Sequence, residues 1–207
     1  MAFSKFSLER KVALITGASG LLGQEHAYAL LESGATVILT DISMERLELA
    51  KDRLSKSFEA DSVIVKTMDV TSKNDILSVS DALIDQGLRV DILVNNAAID
   101  PKVSKGKGLE ENSRFENFTL DQWDMQLNVG LTGAFLCSQT FGSLMAVDDR
   151  GGVILNIASD LSIFSPDQRL YRKEGIPENK QPVKPVTYSV IKTGLIGLNR
   201  YLATYWS

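Results

Sequence analysis

Residues 12 to 34 constrain the fold more than any other stretch. Val12-Ala13-Leu14-Ile15 is a short unbroken apolar run that stops at Thr16-Gly17-Ala18-Ser19-Gly20-Leu21-Leu22-Gly23. A run without polar alternation is the pattern of a strand buried on both faces. Leu22, Ala27, Leu30 and Leu31 then recur at helical spacing until Ser33-Gly34 stops the helix. A strand that turns on glycines directly into a helix opens a βαβ unit, and the free N–H groups of the helix face the turn.

The rest of the chain repeats this order. Strands are expected at 36–40, 62–67, 91–95 and 152–158. Amphipathic helices are expected at 44–58 and 75–86, a long helical stretch at 120–147, and a closing helix at 186–205. Alternating strands and helices imply an α/β fold: a Rossmann-type, doubly wound parallel sheet with helices on both faces. No repeat, low-complexity tract or linker divides residues 1–207, so one domain is expected. Two irregular segments, 100–119 (Pro101, Lys102, Lys105, Gly106, Lys107, Gly108) and 161–184, exceed the length of about 12–15 residues at which loops become uncommon. Both leave carboxyl ends of strands, where such sheets place their ligands.

Glycines in the 16–23 turn let backbone approach a pyrophosphate, so a dinucleotide is expected there. Asp41, 18 residues beyond Gly23, is placed to accept hydrogen bonds from ribose hydroxyls and to repel a 2′-phosphate. NAD rather than NADP is therefore expected, with Arg46 the one nearby cation able to fold back. Tyr188 and Lys192 stand at i and i+4 on one helix face. A neighbouring ammonium stabilises a phenolate, which suits the tyrosine to proton exchange with an alcohol or carbonyl.

These motifs arrive in an order that resembles the short-chain dehydrogenase/reductase family, in its compact branch, from Lys11 to Tyr205. The resemblance implies that Gly17, Ser19, Leu22 and Gly23 hold the pyrophosphate and Asp41 the ribose. Asp69 and Val70 flank the adenine, and Asn96, Ala97 and Ala98 lie beside the cofactor. It makes Ser159 the hydrogen-bond donor to the reacting oxygen and Tyr188 the general acid or base. Lys192 both binds the nicotinamide ribose and acts on the tyrosine. The implied activity is hydride transfer between NAD(H) and a secondary alcohol or carbonyl, with no metal. The family also implies a homodimer or homotetramer.

Four features depart from the family pattern. The glycine spacing G-x-x-G-x-x-G resembles the extended, sugar-nucleotide branch, whereas Asn95-Asn96-Ala97-Ala98 resembles the compact one. The position of the family's fourth catalytic residue, an asparagine, is Gly130, which is expected to leave space for water; Asn128 is about 200° away around a helix. Between Ser159 and Tyr188 lie 28 residues, including Arg169, Arg172 and Lys173, which are placed to meet a phosphate or carboxylate; such insertions resemble those of sugar-related members. Finally, the family continues past Tyr205 through a substrate-lid segment, so the chain is read as a fragment that lacks it.

Other classes of function find little support. Net charge is −4, with basic residues scattered, so a nucleic-acid footprint is not expected. Cys137, the only cysteine, sits in an apolar stretch and is expected to be an inert core thiol; His26, the only histidine, has no evident partner. No apolar run approaches a membrane span of about 18 residues, and no signal core precedes Lys11, so a cytoplasmic protein acting on a small molecule is expected. Two alternatives stay open: an NAD-binding regulatory or scaffold module without turnover, and a sugar-nucleotide dehydratase or epimerase.

Overall fold

The computed structural model describes residues 4–99, 113–147 and 149–207. Its elements follow the expected order: β1 (Val12–Thr16), α1 (Leu21–Glu32), β2 (Thr36–Asp41), α2 (Met44–Leu54), β3 (Val63–Thr67), α3 (Lys73–Asp85) and β4 (Ile92–Asn95). Then come α4 (Leu120–Leu127), α5 (Gly133–Cys137), α6 (Ser143–Ala146), β5 (Val153–Asn156) and α7 (Val186–Tyr205). The segment 100–112, with Pro101, Lys102, Lys105, Gly106, Lys107 and Gly108, lies outside the described residues. The chain sorts into two compact units, Met1–Ala97 with Thr132–Ile157, and Ala98–Leu131 with Ala158–Ser207.

The first unit holds the whole sheet, all parallel, in the order β3-β2-β1-β4-β5. This is the doubly wound arrangement expected from the apolar runs. Ala13, Leu14 and Ile15 of β1 and Val37, Ile38 and Leu39 of β2 are fully buried on both faces. Leu47, Ala50 and Leu54 of α2 and Ala27 and Leu31 of α1 join Ala13, Ile15, Val37 and Leu39 in one core cluster.

Helix α2 ends at Leu54, four residues short of expectation. The carbonyl of Leu54 accepts the N–H groups of both Ser57 and Phe58 (2.9 and 3.1 Å), which closes the helix. Phe58 then packs edge-on against Tyr28, with centroids 4.9 Å apart. The stretch 120–147 is helical but broken by π-helical turns at Asn128–Thr132 and Ser138–Gly142.

The amino ends of the strands meet on Asp91. Its Oδ2 accepts the Val12 N–H (3.0 Å), and Oδ1 accepts from Arg89 (2.5 Å) and Lys11 (3.5 Å). Arg89 in turn donates to the Gly151 carbonyl before β5. The Asp91 side chain is 5% exposed.

In the second unit, α4 and the 3-10 turn Asp160–Ser162 pack on α7. Buried Thr187 donates to buried Gln126. The insertion is ordered by Gln181, which accepts the Lys173 N–H (2.8 Å) and donates to the Lys173 carbonyl (3.0 Å).

Removing one partner of a buried charge network leaves the others desolvated and unpaired. Asp91→Ala is therefore expected to lower unfolding stability by about 2–4 kcal/mol, read by urea denaturation. Asp91→Asn, which still accepts from Val12, is expected to lose less. Equal losses would contradict the assignment.

Candidate active site

The glycine turn leaves β1 through Gly17, whose φ of 61° favours glycine. A Cβ on Gly17 would stand 2.8 Å from Ala97 Cα, and one on Gly23 only 2.6 Å from Ala18 Cα and 2.7 Å from the Gly17 carbonyl oxygen. Neither position admits a side chain, so helix α1 starts directly against the turn. The Ala18 N–H is held by the Thr40 carbonyl (3.0 Å).

Opposite this turn, the end of β4 is clipped to β1. Buried Thr16 accepts the N–H groups of Asn96 and Ala97 through one hydroxyl oxygen (3.0 Å each), and Asn96 Nδ2 donates to the carbonyls of Thr16 and Gly17 (3.0 and 3.1 Å). Thr16 was not among the expected site residues; a hydroxyl in the last place of an apolar strand was its only signal. Asn95 Nδ2 faces inward to Ser138 Oγ (3.1 Å) and Asn156 Oδ1 (2.8 Å). Ala98 falls in the second unit.

Asp41 ends β2 with its carboxylate largely buried. Ser19 Oγ donates to it at 2.6 Å, and Arg46 folds back onto Oδ1 at 3.1 Å. Leu22 is exposed on the first turn of α1. Asp69 is turned back on its own chain, accepting the Thr71 N–H and hydroxyl (2.8 and 2.7 Å). Val70 is buried under Gly133, where a Cβ would meet Val70 Cγ2 at 2.8 Å.

The second unit carries Ser159, Tyr188 and Lys192. Ser159 caps the turn Asp160–Ser162, accepting the Leu161 N–H at 3.2 Å and donating to Asp160 at 2.8 Å. That turn is tied to α7 by Thr193 Oγ1, which donates to the Ser162 carbonyl (3.0 Å). Tyr188 and Lys192 share a face of α7, with the ammonium 5.7 Å from the ring centroid. Burial pushes the Lys192 pKa below the ordinary lysine range, and the charge of Lys184 pushes it further. Lys184, which belongs to no motif, has its Nζ 3.7 Å from the Tyr188 ring centroid.

The insertion arginines are engaged elsewhere. Arg169 forks onto Asp167 (2.9 and 2.7 Å), which lowers that carboxyl to about 2, and Arg172 pairs with Glu178 (2.5 Å). Cys137 is fully buried, its thiol pushed up to about 12. Among the described residues no group of His, Cys, Asp and Glu is placed to hold a metal ion, and no helix is long and apolar enough to cross a membrane.

The family described as short chain dehydrogenase matches residues 11–170. The chain belongs to this family. It is 30% identical over 196 residues to the (2S)-[(R)-hydroxy(phenyl)methyl]succinyl-CoA dehydrogenase subunit BbsD of Thauera aromatica, covering 95% of this chain and 67% of that one. To the D-threitol dehydrogenase of Mycolicibacterium smegmatis it is 29% identical over 201 residues, covering 97% and 66%. The crystal structure of gox2181 superposes with a TM-score of 0.81 at 28% identity, over all of this chain and 70% of that one. The chain thus spans about two thirds of the length of these relatives. Tyr188 and Lys192 lie beyond the stretch that the family description matches.

Gly130 does not leave the space expected of it. A Cβ there would stand 2.9 Å from Ile191 Cγ2 and 3.2 Å from its Cδ1. Ile191, on the turn of α7 between Tyr188 and Lys192, already fills that room. Asn128 is exposed, as its helical phase requires.

Two outcomes follow. Gly130→Asn overpacks this contact, with an expected loss of about 1–3 kcal/mol; adding Ile191→Ala restores part of it in urea denaturation, and strict additivity would contradict the contact. For Lys192, the unfolded chain holds its proton up to the ordinary lysine pKa of about 10.4, whereas the folded chain releases it earlier. Wild-type stability measured against Lys192→Met should therefore rise as pH climbs through that window. A flat difference would show that no burial penalty exists.

Proposed function

We propose that this chain is an NAD-dependent oxidoreductase of a single catalytic domain, moving a hydride between NAD(H) and a secondary alcohol or its carbonyl. The observation that carries the reading is the pairing, on one face of α7, of Tyr188 with the buried Lys192. The glycine cradle at Gly17 and Gly23, closed to any side chain, fits a bound dinucleotide, and Asp41 fits its ribose. Asp69 and Val70 are assigned to the adenine side, and Ser19, Leu22, Asn96, Ala97 and Ala98 to the cofactor's remaining contacts.

The cofactor, when bound, supplies or accepts the hydride. The chain's own residues handle the proton. In reduction the Tyr188 phenol gives its proton to the oxygen of the new alcohol, and in oxidation the phenolate takes it back. The Lys192 ammonium lowers the cost of the phenolate in a setting where its own charge is poorly hydrated. Ser159 hydrogen-bonds the reacting oxygen, for which it must turn its hydroxyl away from Asp160. A polyol or sugar-type substrate fits the D-threitol dehydrogenase among its relatives. Assembly as a homodimer or homotetramer and a cytoplasmic setting complete the proposal.

A specific observation favours a second reading of the cofactor. Arg46, already 3.1 Å from Asp41, stands where a guanidinium would meet a 2′-phosphate. NADH and NADPH oxidation with a panel of ketones and keto-sugars separates the readings. NADH is expected to be preferred, and Tyr188→Phe to lose at least about a hundredfold in turnover while still binding NADH. Equal rates in wild type and Tyr188→Phe would remove the tyrosine from the reaction; a preference for NADPH would give the ribose pocket to Arg46.

A further inference from the structure

Tyr188 meets two ammonium groups rather than one. Lys184 Nζ stands 3.7 Å from the ring centroid, closer than Lys192 at 5.7 Å. The approach of Lys184 is fixed from outside the helix. Its backbone N–H is held by Gln168 Oε1 (2.8 Å), and that of Val183 by Ser113 Oγ (3.1 Å). Prolines 182 and 185 flank this pair and stiffen it. Lys184 is half-buried, and among the described residues no carboxylate is within ion-pair distance of it.

The charged groups around it have other partners or face solvent. Asp160, on the turn packed against α7, accepts from Ser159 and from the Leu161 N–H. Arg114 and Glu116, which border the same cleft as Lys184, pair with each other at 3.5 Å. Asp121 and Asp124 on α4 are exposed. The ring of Tyr188 is thus the one group among those described that Lys184 contacts as a cation.

An ammonium over an aromatic face is attracted by the ring quadrupole. The attraction grows when the ring carries a full negative charge. With a neutral phenol this attraction is weak and the two lysines repel each other, which adds to burial, the larger cause, in lowering the Lys192 pKa. A phenolate relieves both.

We propose that Lys184 is a positioning residue acting through Tyr188: with Lys192 it stabilises the phenolate form and holds the ring in place. The inference rests on Tyr188 being the acid–base group of the proposed reaction, yet its test needs no turnover. Tetranitromethane nitrates phenolates, so the nitration rate of Tyr188, followed by peptide mass mapping at one mildly alkaline pH, reports the ionised fraction. Exposed Tyr201 and Tyr205 on the same helix serve as internal references for reagent and pH, and circular dichroism verifies folding.

Lys184→Met and Lys184→Gln are expected to slow Tyr188 nitration about three- to tenfold at unchanged Tyr201 and Tyr205 rates. Lys184→Arg is expected to restore it. Nitration at the wild-type rate, or faster, in both neutral variants would overturn the proposal, since a lysine that merely covers the ring exposes it when removed. A wild-type chain without dehydrogenase activity would sink the proposed function and leave the nitration result readable.

Discussion

The close approach of two strand ends is the constraint on which the rest of this molecule depends. Strand β1 runs into a turn at Gly17, and β4 ends beside it at Ala97, so near that one added methyl would stand 2.8 Å from Ala97 Cα. Backbone polar groups at such a junction have no ladder partner and need others. The Thr16 hydroxyl and the Asn96 amide supply them, two N–H groups on one oxygen and two carbonyls on one nitrogen. A side chain at Gly17, or a missing hydroxyl at Thr16, would splay the strands where α1 presents its amino end.

That junction is also where the strand order reverses, with β2 and β3 on one side of β1 and β4 and β5 on the other. In sheets of this kind connections diverge at the reversal and leave a crevice, where the amino end of a helix suits a pyrophosphate. The proton chemistry is assigned to the other unit, built around α7. There two like charges, 3.7 and 5.7 Å from the ring centroid, meet on one half-buried phenol. A functional site of this type holds groups that are unfavourable alone and become favourable together once negative charge develops.

Much of this was legible in the residues. Helices α1 and α7 begin and end where expected, because Ser33-Gly34 stops the first and Pro185 starts the second. The parallel sheet was legible because its central strands are apolar on both faces. The end of α2 was not, since Phe58 continues the apolar pattern while its ring serves Tyr28 instead. Gly130 was read as room for water; the isoleucine that fills it lies 61 positions away in sequence, and nothing local announces the contact. Lys184 was missed for a similar reason: its partner is chosen by the path of the chain through Gln168 and Ser113. Arg169 and Arg172 looked available because their carboxylate partners, Asp167 and Glu178, lie in an irregular segment where spacing predicts no pairing.

The turn at Gly17–Gly23 is proposed as a dinucleotide cradle made by the absence of side chains. Calorimetric titration of NADH into the wild-type chain and into Gly23→Ala tests it most directly, with circular dichroism verifying that the sheet survives. Binding to the wild type and a loss of at least about tenfold in affinity in the variant are expected, because the new methyl pushes α1 off the turn. Equal affinities, or a wild-type chain that binds neither NADH nor NADPH, would contradict it.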